Sequence, residues 1–84
     1  MKHRDRSALL LRFADNIEKH KDELAALESL DNGKPIGMAH FDVITALNII
    51  RYYAGWPDKI TGDTLPVNGN LFSFTKSYPV GVCG

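Results

Sequence analysis

The chain has 84 residues and 9.3 kDa, one small domain at most, which excludes a multidomain enzyme built from these residues alone. Ten Lys and Arg balance ten Asp and Glu, so no net field is available to hold a nucleic acid or an anionic membrane surface. At 44% hydrophobic the chain is too apolar for disorder, and a single Cys excludes an internal disulfide and is what a reducing compartment permits.

The amino terminus carries no readable address. Lys2, Arg4 and Arg6 precede the apolar run Ala8 to Leu11, but Arg12 stops it well short of the ~7–15 apolar residues of a secretory signal or the ~20 of a membrane span. Asp5, Asp15 and Glu18 argue against a mitochondrial presequence, which is poor in acids.

From Ser7 to Leu30, Leu10, Phe13, Ile17, Leu24 and Leu27 draw one apolar stripe along a helix. The run Lys19-His20-Lys21 followed by Asp22-Glu23 places cations where a helix ends and acids where one begins, so two helices are predicted to meet near His20. The second closes at Asp31-Asn32-Gly33, where Gly33 can adopt a left-handed cap and Pro35 cannot continue the helix. Asp15 and Lys19 stand four apart in the favourable order for a surface pair.

Between Phe41 and Trp56, Val43, Ile44, Leu47, Ile49, Ile50, Tyr52 and Tyr53 cover most of a helical circumference, which predicts a helix buried on several sides, capped at its start by Asp42. Pro57 lacks a donor and would clash with the carbonyl of Tyr53 in a continuing helix, so a kink or an end is expected there, with 58–61 a loose final turn.

After Gly62 the period changes. Leu65-Pro66-Val67, Asn68-Gly69 and Leu71 to Tyr78 read as a hairpin with a tight Asn-Gly turn, with Phe72, Phe74, Lys76 and Tyr78 on one face. A lone hairpin is unstable in water, so this one needs helices or another chain to lie against. Val80 to Gly84 then reads as the opening of a buried strand.

Chemistry-bearing residues are sparse. His3, His20 and His40 lack the three- or four-residue spacing of a local metal motif, and solvated or capping roles suit them better. Cys83 has no His nearby in sequence and reads as a small buried strand residue rather than a nucleophile. Gly81 and Gly84 have no helix after them to complete a phosphate-binding turn. Tyr52, Tyr53 and Trp56 offer either an aromatic platform or, more commonly, core packing. Asp31, beside unpaired carbonyls at a helix end, is either an oxygen ligand for a cation or a solvated turn carboxylate.

Three runs, LAALESLDNGKP (Leu24 to Pro35), RYYAGWPDKI (Arg51 to Ile60) and YPVGVCG (Tyr78 to Gly84), together resemble the NAD-dependent aldehyde dehydrogenases of the acetaldehyde and retinaldehyde type. What the chain resembles is an internal piece of the N-terminal half of such an enzyme. Family members begin before the counterpart of Met1 and run on after Gly84 into an Ile-Pro-Trp-Asn segment that helps form an oxyanion hole.

The resemblance implies an α/β parent enzyme. In it, residues 1–62 belong to the helical part of the cofactor-binding domain, residues 63–79 form an oligomerisation hairpin, and residues 80–84 start a Rossmann-like domain. It implies an aldehyde substrate, NAD as cofactor, a homo-oligomer (dimer or tetramer), and the rest of the same enzyme as partner, in the cytoplasm or mitochondrial matrix. It assigns Asp31 to a structural monovalent-cation site and assigns no catalytic or cofactor-binding residue to this stretch. The family's thiolate nucleophile, oxyanion-hole asparagine and water-activating glutamate have no counterpart here, so the chain alone is expected to be inactive. Two departures stand out. The family usually has Ala where Pro57 stands, and the stretch from Ile36 to Ile50 is about one residue short, which predicts a rebuilt loop around His40. The alternative from a different class is a stand-alone helical interaction module without catalysis, which would unfold cooperatively as a defined oligomer.

Overall fold

A computed structural model describes all 84 residues. Helices α1 (His3–Lys19), α2 (Lys21–Asn32) and α3 (Ile36–Tyr53) are followed by strands β1 (Thr64–Leu65) and β2 (Ser73–Phe74).

The junction of α1 and α2 falls on His20, whose backbone (φ −108, ψ 18) leaves the helical region for one residue. Lys19 closes α1, while Asp22 and Glu23 open α2, each complementing the helix dipole it meets. Gly33 ends α2 with φ 79, and its N–H donates to the Ser29 carbonyl at 2.9 Å.

Helix α3 starts earlier than the sequence suggests. Pro35 (φ −56, ψ 140) stands at its N-terminal boundary and accepts from the N–H groups of Met38 and Ala39, so Asp42 lies inside the helix and does not cap it. The same early start removes the loop expected around His40, which is a helical residue. Proline is tolerated at a helix start because it has no N–H to leave unpaired, and α3 begins there without a side-chain cap despite the weak helix propensity of Gly37. At the other end α3 stops at Tyr53, before the Pro57 ring can meet a helical carbonyl. Residues 54–59 continue as turns, with the Lys59 N–H bonded to the Trp56 carbonyl at 2.8 Å, and Pro57 is buried.

The helices meet through small side chains. Ala14, Ala25, Ala39 and Ala54 are buried at the contacts, joined by Leu47, and no large side chain is fully buried. Alanine lets backbones approach closely but removes little apolar surface from water. The expectation that α3 is buried on several sides is therefore not met: Phe41, Ile44, Ile49, Tyr52 and Tyr53 are all exposed. The helix has one covered side because only α1 and α2 lie against it.

Global dimensions make the same point. A compact monomer of this mass exposes about 5,000 Å² and has a radius of gyration of about 12 Å. This chain exposes 7245 Å² with a radius of gyration of 19.1 Å.

The hairpin forms, but in a different register from that of a tight Asn-Gly turn. Thr64 pairs with Phe74 and Leu65 with Ser73, antiparallel, so the connection is the whole of 66–72, centred on Gly69. A two-residue turn at Asn68-Gly69 would set Leu65 opposite Phe72. That turn also needs positive φ at both residues, and only Gly69 (φ 90) has it. Pro66 lacks an N–H to extend the ladder toward the turn. Its base is tight instead: Asp63 and Thr75 exchange bonds at 2.7 and 2.8 Å, and Gly62 sits so close that a Cβ there would fall 1.8 Å from the Thr75 carbonyl oxygen.

The buried strand expected over Val80 to Gly84 is absent. These residues form no regular structure and have no strand partner, Val80 and Val82 are fully solvent-facing, and Gly81 takes φ 114. A buried strand depends on neighbours on both sides, and β1 and β2 pair only with each other.

Candidate functional site

Charged side chains tie the helices together. Arg51, the only Lys or Arg of α3, reaches across to α1, placing Nη2 2.6 Å from Oε2 of Glu18 and 3.4 Å from Oδ1 of Asp15. Asp15 thus faces Arg51 and makes no pair with Lys19. The Arg51 hydrogen bond, reinforced by its charge, holds the Glu18 carboxyl below the usual carboxylate range, and the same bond raises the Arg51 value further.

A second cluster fixes the turn between α2 and α3. Ser29 Oγ donates to the Lys34 carbonyl at 2.6 Å, and the Lys34 N–H donates to Asn32 Oδ1 at 2.9 Å. The Lys34 ammonium bridges Asp42 of α3 and Glu28 of α2, the latter at 3.1 Å. Hydrogen bonds to Asp42 and then to Glu28 raise the Lys34 pKa.

Asp31 lies in the last turn of α2, exposed to solvent and outside this cluster. It offers one carboxylate. A hard cation gathers about six or more oxygens, and no group of three or more His, Cys, Asp or Glu side chains converges anywhere in the chain. The residues present do not complete a cation site. Nor do the histidines assemble one: His20 Nδ1 is 3.6 Å from Glu23 and His40 Nδ1 is 3.7 Å from Asp22, two separate exposed pairs.

Cys83, expected to be buried, is exposed, because the strand that would bury it has no neighbours here. A dinucleotide site needs a glycine turn leading from a strand into a helix N-terminus. Gly81 and Gly84 lie in an unpaired stretch without regular structure and with no helix after it, so these residues do not build one.

What the chain does present is apolar surface with internal order. Tyr52 meets Tyr53 edge-on with centroids 5.0 Å apart and Trp56 at 6.2 Å, yet all three remain substantially exposed. On the hairpin, Phe72 and Phe74 stack at 5.6 Å and the Lys76 ammonium sits 5.3 Å from the Tyr78 ring centre, in keeping with the shared face read from sequence. Phe13, Ile17, Leu24, Val43 and Ala46 line an open groove between the three helices. The candidate site is thus a set of three exposed apolar features, and catalytic groups do not converge in it.

Comparison with known proteins decides what kind of chain carries these faces. Residues 1–84 match the aldehyde dehydrogenase family from end to end. The chain belongs to the aldehyde dehydrogenase family. It is 53% identical over 81 residues to the mitochondrial aldehyde dehydrogenase of Rattus norvegicus, covering 95% of this chain and 16% of that protein. To an aldehyde dehydrogenase of Enchytraeus buchholzi it is 51% identical over the same shares. To the omega-crystallin of Enteroctopus dofleini, whose name carries no enzymatic activity, it is 48% identical over 94% of this chain and 16% of that protein. The chain thus spans about one sixth of the length of the curated relatives it matches.

Sequence reasoning missed the Arg51 and Lys34 ties. For Arg51 a signal was available: it is the only Lys or Arg of α3, and Glu18 and Asp15 are the acids on the facing side of α1. For Lys34 the run from Asn32 to Pro35 marks a turn but does not disclose that Asp42, eight residues on, returns to it.

Proposed function

We propose that this chain is the helical layer and subunit-bridging arm of an aldehyde dehydrogenase that oxidises aldehydes to carboxylic acids with NAD. It supplies scaffold and docking surface, and no catalytic group. Residues 1–62 are the helical part of the cofactor-binding domain, 63–79 the oligomerisation hairpin of a homodimer or homotetramer, and 80–84 the first strand of a Rossmann-like domain. Asp31 contributes one ligand to a structural monovalent-cation site whose remaining oxygens come from other parts of the enzyme. NAD is held by residues outside this stretch. The cytoplasm or the mitochondrial matrix is the compartment, and mitochondrial aldehyde dehydrogenases are among the relatives.

The observation that carries this reading is the pairing of an end-to-end family match with a surface about 2,000 Å² larger than a compact monomer of this mass exposes. The apolar helix faces and the unpartnered stretch after Pro79 call for a surface to cover them, and the family match supports the rest of the enzyme as that surface. Purified 84-residue polypeptide mixed with acetaldehyde and NAD should form no NADH, whereas the complete enzyme carrying this segment should form it. NADH production by the short polypeptide alone would overturn the proposal. So would a complete coding sequence that ends at Gly84 rather than continuing into an Ile-Pro-Trp-Asn segment.

A further inference from the structure

We draw no further inference here: the strongest candidate, the open apolar groove between α1, α2 and α3 lined by Phe13, Ile17, Leu24, Val43 and Ala46, carries nothing because nothing in the structure shows what covers it.

Discussion

Arg51 of α3 and Glu18 of α1 are joined by a charge-assisted hydrogen bond of 2.6 Å, the shortest link between the two helices' side chains and one that spans 33 positions of sequence. Its Glu18 end titrates. Because the hydrogen bond to Arg51 lowers the folded-state pKa, the pair stabilises the fold above the ordinary glutamate value of 4.5 and loses that contribution as pH falls through the folded value. In a complete enzyme carrying this segment, Glu18→Gln should lower stability to urea at neutral pH and flatten its decline on acidification below about pH 4.5. An unchanged acid limb in the variant would show that the contact contributes nothing. The effect will be modest, since both groups meet solvent.

Lys34 should act at the opposite end of the pH scale. Its pKa is raised by Asp42 and Glu28, so its contribution is complete below the ordinary lysine value and is lost as pH rises through the folded one. Lys34→Met should remove an alkaline loss of stability seen in the parent. Ser29→Ala deletes the 2.6 Å bond to the Lys34 carbonyl and should cost about 0.5–1.5 kcal/mol in a denaturant titration, with no pH dependence of its own.

Phe13 separates the isolated polypeptide from the complete enzyme. It is 53% exposed here, so Phe13→Ala should change the helicity of the 84-residue chain little and reduce its tendency to aggregate. Within the enzyme, where the proposal has this face covered, the same substitution should cost about 3–5 kcal/mol, the penalty for emptying a buried aromatic site. Equal, small effects in both settings would mean that the groove stays open to water.

Gly62→Ala should break the base of the hairpin. The new Cβ would lie 1.8 Å from the Thr75 carbonyl, a backbone atom with no means of moving aside. Amide exchange at Thr75, whose N–H bonds the Asp63 carbonyl, should accelerate, and, if the hairpin bridges subunits as proposed, the enzyme should run at a lower oligomeric mass in light scattering. Phe74→Ser leaves that base intact and, if the aromatic face docks on another subunit, should lower the oligomeric mass alone.

The features legible in the sequence were those governed by neighbouring residues. Charge order around His20 located the helix junction, and Gly33 with Pro35 located the cap, because dipole and backbone preferences act within a turn or two. What escaped depended on residues distant in sequence or outside the chain. Asp42 looks like a cap on any local criterion, but Pro35 had already started the helix and Lys34 claimed the carboxylate. Asn68-Gly69 has the composition of a two-residue turn, yet the contact between Gly62 and Thr75 sets the register from the far end. Cys83 and Val82 have the composition of a buried strand, and burial of that kind is conferred by flanking strands. The Lys34 tie was hidden for the same reason, since it joins Glu28 of α2 to Asp42 of α3.

The outgoing and returning limbs of the hairpin lie beside one another at a single corner of the helices: Pro57 and Ile60 border the same cleft as Ser77, Tyr78 and Pro79, next to His3 and Arg6. Neither β1 nor β2 packs on a helix. The segment between is therefore a detour with a shared doorway, and cutting it out and rejoining its ends through a short linker should leave the path from α3 to Val80 undisturbed. If the hairpin bridges subunits as proposed, assembly and helical scaffold become separable traits, open to change one without the other.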